Sequence, residues 1–191
     1  MSRSRPMLRG LLFDLDGTLV DTSAANHGAY AAALGEAGIV IEAQAVADVA
    51  AGRHWTDFLP DLLRESQSAV TPEIVARRKG ELYRQMLGAT RLNAPLIALV
   101  ASSRPHLRTA VVTTASAASV RALLRFHEIG GLFDVVVTGD DVTRRKPDSE
   151  AYRLAVARLE LVAAECLAFE DSEIGVRSAE GAGLDVIRVV F

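Results

Sequence analysis

Leu8-Arg9-Gly10-Leu11-Leu12-Phe13-Asp14-Leu15-Asp16-Gly17-Thr18 decides how the chain is read. Leu8 to Leu15 is a short apolar run that stops in acid and glycine, the pattern of a buried strand entering a turn. Alternation along a strand puts Asp14 and Asp16 on the same side as the backbone leaves the sheet. Two carboxylates that close repel unless a cation or a shared proton lies between them. Gly17 permits a tight turn with room for a ligand, and the amides that follow can point at an anion. Taken alone, the same residues also fit a solvated strand-end turn.

Outward from this stretch the texture changes twice. Asp21-Thr22-Ser23 supplies N-cap residues for an alanine-rich helix over Ala24–Leu34, with Gly35 and Gly38 expected to end it. Further helices are predicted over Glu42–Ala51, Thr56–Glu65 and from Thr71-Pro72-Glu73 to Leu87, the last with proline in its first turn. The segment 21–88 therefore reads as all-helical. Beyond Gly88 strands and helices alternate: helix Pro95–Ser102, strand Thr109–Thr113, helix Ser116–His127, strand Asp134–Thr138, helix Asp148–Leu159, strand Cys166–Phe169, helix Gly175–Gly183 and strand Asp185–Val190. That alternation predicts an α/β fold, a doubly wound parallel sheet covered on both faces. The expected organisation is a core of residues 1–20 and 89–191, with an all-helical insert at 21–88 after the first strand.

The 191 residues suit one core with an insert. Half are hydrophobic and 24% are charged, with a net charge of -3, which gives no reason to expect nucleic acid or an anionic membrane as a partner. The single cysteine, Cys166, excludes an internal disulfide and a cysteine-built metal site, and its apolar neighbours make it a buried filler. Arg3, Arg5 and Arg9 are not followed by a leader-like apolar stretch, and no run approaches the ~20 apolar residues of a membrane helix. The expectation is a cytoplasmic protein, monomer or homodimer, acting on a small molecule.

In open parallel sheets ligands bind at the carboxyl ends of strands. The polar groups there are Asp14 and Asp16, Thr114 to Ser116, Asp140 to Lys146, and Glu170 to Ser172. Asp171 is suited to a hard cation, and oxygen donors alone favour magnesium over zinc; Asp171 or Ser172 could equally cap the helix that follows. Lys146 could neutralise a phosphate as a compact charge or be a solvated surface lysine. Thr114, ahead of a helix, could open an anion site or serve as its cap.

Taken in order, Asp14-x-Asp16-Gly-Thr, then Thr114 after a valine-rich strand, then Lys146-Pro147, then Glu170-Asp171-Ser172-x-x-Gly175 resembles the haloacid dehalogenase superfamily over essentially the whole chain, closest to the branch of phosphoglycolate phosphatase and β-phosphoglucomutase. That resemblance implies a Rossmann-like core with a helical cap, and a magnesium-dependent phosphatase working through an aspartyl-phosphate. It implies Asp14 as nucleophile and Asp16 as general acid and base. Magnesium would be held by Asp14, the Asp16 carbonyl and Asp171, with Glu170 as ligand or support. Thr114, Ala115, Lys146 and Gly17 would cradle the phosphoryl group. Arg53, His54, His27 and Tyr30 are cap candidates for substrate selection. The second motif reads Thr113-Thr114, and Thr114 is preferred because Thr113 is expected to lie still within the strand. Asn26 stands where the mutase carries histidine, and Ala51 where its cap lysine is expected, which favours hydrolysis over phosphomutase chemistry. Asp16 disfavours a dehalogenase, which lacks that second acid. A phospho-aspartate signalling module or a binding protein of the same fold is the alternative of a different class.

Overall fold

The computed structural model describes residues 7–50 and 55–191. They form two compact units, one comprising the chain through Asp21 together with Leu92–Phe191, the other Thr22–Arg91.

The first unit is built on a five-stranded parallel sheet. Its strands are β1 (Gly10–Phe13), β4 (Arg108–Val112), β5 (Val135–Val137), β6 (Cys166–Glu170) and β7 (Asp185–Arg188), in the order β5-β4-β1-β6-β7. Two further strands, β2 (Val20–Asp21) and β3 (Arg91–Leu92), pair as a short ribbon. The first apolar run thus lies at the centre of the sheet, which is why it is apolar on both faces. Phe13 and Phe169 stack across neighbouring strands at 4.7 Å, with Phe133 edge-on to Phe13 at 6.5 Å. On the opposite face Leu12, Ala110, Val112 and Ala168 pack against Ala151, Tyr152, Ala155 and Val156 of α7 (Glu150–Arg158) and Ala179 of α8 (Glu173–Gly181). Cys166 is buried in that layer as a free thiol, its pKa pushed up to about 11 chiefly by burial. Helices α5 (Ala94–Ser103) and α6 (Ala117–Phe126) complete the unit, α6 burying Val120, Leu123 and Leu124.

Register sets the functional end. Phe13 is level with Val111 on one side and Phe169 on the other. One residue further along, Asp14, Val112 and Glu170 therefore stand side by side where the central strands end. Strand β1 is shorter than the run from Leu8 to Leu15, because the ladder closes with Phe13 and Gly17, at φ +88°, turns the chain.

The second unit is helical: α1 (Ser23–Glu36), α2 (Ala43–Ala50), α3 (Trp55–Glu65) and α4 (Pro72–Gln85). Ala25, Ala29 and Ala33 make a small-residue stripe on α1 that is fully buried, and the paired helices are clamped at their surface by Arg78 on Glu36 at 2.6 and 2.9 Å. Gly35 lies inside α1 and does not end it; the chain turns at Gly38, at φ +82°. A lone glycine costs a helix about 1 kcal/mol, less than the burial of neighbouring Leu34 returns. Among the described residues no helix is long and apolar enough to cross a membrane.

Candidate active site

The site lies wholly within the first unit, at the carboxyl ends of β1, β4 and β6. Lys146 is its centre. Its side chain is 3% exposed, so the solvated-lysine alternative does not hold. The ammonium donates to Asp14 Oδ1 at 2.7 Å, Glu170 Oε1 at 2.5 Å and the Val112 carbonyl at 2.8 Å. Three acceptors match the three N–H groups of a lysine. Two of them belong to strands paired with β1 and the third to the residue that follows it, so the sheet register assembles this cage.

Asp14 Oδ2 and Glu170 Oε2 are buried and make no hydrogen bond within the protein. Asp14, Glu170 and Asp171 each bring a carboxylate oxygen within 4.8 Å of the others. Burial raises the Asp14 carboxyl well above the usual range, and Glu170 and Asp16 add to it; Lys146 opposes this without reversing it. Burial and then Glu170 likewise raise Asp171. Lys146 stays an ammonium, since Asp14 and Glu170 outweigh the burial that would lower it. Four carboxylates, counting Asp16, thus meet one ammonium. An oxygen-only donor set with two orphaned buried oxygens and uncompensated negative charge fits a small hard cation such as magnesium. Asp16 is outside the trio of side-chain donors.

Beside the acids, the loop after β4 is pinned from several directions. Thr113 lies one residue beyond β4, not within it as the valine-rich run suggests: the last paired residue is Val112, opposite Val137, and the Thr113 amide closes the ladder by donating to Val137 O at 3.0 Å. Its buried hydroxyl donates to Asp16 Oδ2 at 3.3 Å and accepts from the Ala115 amide at 3.1 Å. Thr114 is exposed, and Ala115 half-buried. Ser116 accepts from the Ser119 amide and is the N-cap of α6, so Thr114 is not that cap. Gly139 donates its amide to Ala115 O at 2.9 Å and runs so close to Thr114 that a Cβ there would lie under 3.0 Å from the Thr114 carbonyl oxygen.

The last motif divides its labour. Ser172 caps α8 by accepting from the Gly175 amide at 3.2 Å, which leaves Asp171 to face the acids. Gly17 and Gly175 are required by close approach: a Cβ on Gly17 would overlap Asp171, and one on Gly175 would overlap the Glu170 carboxylate. Arg144 is held on the surface by Asp148 at 3.4 Å and Glu150 at 3.3 Å, and Arg145 is exposed.

Of the helical-unit candidates, Tyr30 packs edge-on against Phe58 at 5.4 Å, and burial pushes its pKa up to about 12. The Lys79 ammonium sits over the rings of Tyr30 and Tyr83 at 4.7 and 5.0 Å and bonds to Asn26. His27 is half-buried on α1. Arg53, His54 and the Ala51-Gly52 pair lie outside the described residues.

Sequence reasoning missed Tyr152 and Gly139. Tyr152 is completely buried, and its hydroxyl donates to Glu170 Oε1 at 2.6 Å. A tyrosine on the apolar face of a helix, whose hydroxyl must find a partner when buried, was the available signal. For Gly139 the signal was a glycine directly after a strand end.

Comparison with known proteins agrees with this geometry. A family model described as haloacid dehalogenase-like hydrolase matches residues 11–189. The chain is 31% identical to fructose-1-phosphate phosphatase YqaB of Escherichia coli over 94% of this chain and 95% of that protein. It is 32% identical to hexitol phosphatase A of the same organism over 95% and 82% respectively. The crystal structure of CbbY from Rhodobacter sphaeroides in complex with phosphate superposes with a TM-score of 0.86 at 28% identity, covering 97% of this chain and 87% of that one. The chain belongs to the haloacid dehalogenase-like hydrolase family and stands among its phosphoric monoester hydrolases.

Proposed function

We propose that the protein is a magnesium-dependent phosphatase that hydrolyses a small phosphorylated sugar or polyol through an aspartyl-phosphate at Asp14. The single observation that carries this reading is the cage itself: one buried lysine bridging two carboxylates, a third carboxylate alongside, and two buried acid oxygens with no protein partner. The relatives bear on the substrate class: YqaB is named for fructose 1-phosphate, hexitol phosphatase A for hexitol phosphates, and CbbY has been crystallised with xylulose 1,5-bisphosphate.

In this reading Asp14, Asp171 and the Asp16 carbonyl hold magnesium, with Glu170 as ligand or support. When bound, the cation supplies charge neutralisation for the phosphoryl oxygens and ionises the acids around it. A carboxylate of Asp14 forms a bond to phosphorus as the ester P–O bond breaks. Asp16, half-buried and hydrogen-bonded to Thr113, gives its proton to the leaving alkoxide. It then takes a proton from water, which attacks phosphorus and frees Asp14 and inorganic phosphate. Lys146 offsets charge on Asp14 and on the incoming phosphoryl group, and Thr114, Ala115 and Gly17 cradle the phosphoryl oxygens. The helical unit serves as a cap that selects the rest of the substrate.

The test is phosphate release from a panel of sugar and polyol phosphates, with magnesium and with EDTA, for the wild-type protein and Asp14→Asn. Turnover should require magnesium and fall by at least ~10³-fold in the variant. Undiminished turnover in Asp14→Asn would remove the covalent mechanism.

A further inference from the structure

Tyr152 stands outside every motif that led to the site, yet it is the largest fully buried side chain among the described residues. Its ring lies beneath the Lys146 ammonium, 5.1 Å from Nζ, and its hydroxyl reaches Glu170 Oε1. A phenolic hydroxyl 2.6 Å from a carboxylate oxygen is the donor of that pair. Glu170 is consequently asymmetric. Oε1 accepts from both Lys146 and Tyr152, whereas Oε2 accepts from nothing in the protein. The terminal torsion of a glutamate is broad, and one donor leaves it free to swing. Two donors converging on one oxygen fix the carboxylate plane and therefore the position of the other oxygen. Gly175 provides the space in which that plane fits.

We propose that Tyr152 is a positioning residue for the cation site: its hydroxyl holds Glu170 so that Oε2 is presented to the divalent cation and its water shell, while Lys146 stays centred on Asp14. This rests on the magnesium reading above. Without the hydroxyl, Lys146 alone restrains Glu170, and the ammonium must either follow the swinging carboxylate or release it. The cation should feel this more than the phosphoester does.

The experiment is calorimetric titration with magnesium of wild-type protein, Tyr152→Phe, Glu170→Gln and the double variant, together with steady-state kinetics on whichever phosphoester the wild type turns over. Tyr152→Phe should fold and bind magnesium roughly 10–100-fold more weakly, the scale seen when a group orienting a metal ligand is lost. At saturating magnesium its KM for the phosphoester should stay within about twofold of wild type. The double variant should bind no more weakly than Glu170→Gln alone, because Tyr152 acts through Glu170. Unchanged magnesium affinity in Tyr152→Phe, or additive losses in the double variant, would overturn the inference while leaving the magnesium reading intact. Failure of Tyr152→Phe to fold would overturn it too, since the hydroxyl would then determine the fold and not the carboxylate. A wild-type protein that takes up no magnesium would end both.

Discussion

Replacing Lys146 by methionine tests the electrostatic argument directly. The side chain keeps most of its length and loses only the ammonium. Three hydrogen bonds of 2.5–2.8 Å go with it. Asp14 and Glu170 are then left buried with no opposite charge, and Asp16 and Asp171 remain nearby. Removing one partner of a buried ion pair costs about 3–5 kcal/mol. For a domain of this size each kcal/mol lowers Tm by roughly 2–4 °C, so the expected loss is about 6–20 °C. The pH dependence has a definite sign. Lys146, its pKa raised, contributes fully at any pH below its ordinary value and loses its effect only in strong alkali. Asp14 already has a raised pKa, so its folded form holds protons more tightly than the unfolded chain, and it costs stability as pH rises above the ordinary carboxylate range. Loss of Lys146 raises it further. The deficit of Lys146→Met should therefore be small near pH 5 and largest near pH 8, and magnesium should reduce it. Differential scanning calorimetry in EDTA at both pH values, repeated with magnesium, measures this. A deficit under about 1 kcal/mol, or one equal at the two pH values, would refute the view that the cage is held by charge.

Asp171→Asn should behave in the opposite sense. Its raised pKa means that the ionised side chain opposes folding above the ordinary carboxylate range, so without metal the variant should melt a few degrees higher than wild type at pH 8, and no higher near pH 4, while binding magnesium more weakly. Gly139→Ala should push the Thr114 carbonyl aside, cost about 1–3 kcal/mol in denaturant unfolding and raise KM more than it lowers kcat. Gly131→Ala, where an added Cβ meets nothing within 4 Å, is the matched control and should change neither.

Much of this protein was legible in the chain. Short apolar runs that stop at Asp14, Thr113 and Glu170 marked parallel strands, and local chemistry pointed to their ends as the candidate site. That works because a buried strand must be apolar and a ligand site must be polar, and both facts are written residue by residue. The all-helical stretch was equally plain, although its details were not: Gly35 continues a helix because packing around Leu34 outweighs a glycine's preference, and the turn Leu87–Ala89 and strand Arg91–Leu92 are too short for any period to show. What the tertiary structure alone decided is who meets whom. Asp14 and Lys146 are 132 residues apart, and Lys146 and Glu170 are 24. Their convergence depends on parallel register, which aligns Phe13 with Val111 and Phe169 and so brings the next residues of three strands to one level. Packing of α7 on the sheet brought the hydroxyl of Tyr152 to Glu170, and the pairing of β4 with β5 led the backbone of Gly139 past Thr114. These contacts arise from the packing of distant segments, and no local pattern encodes them.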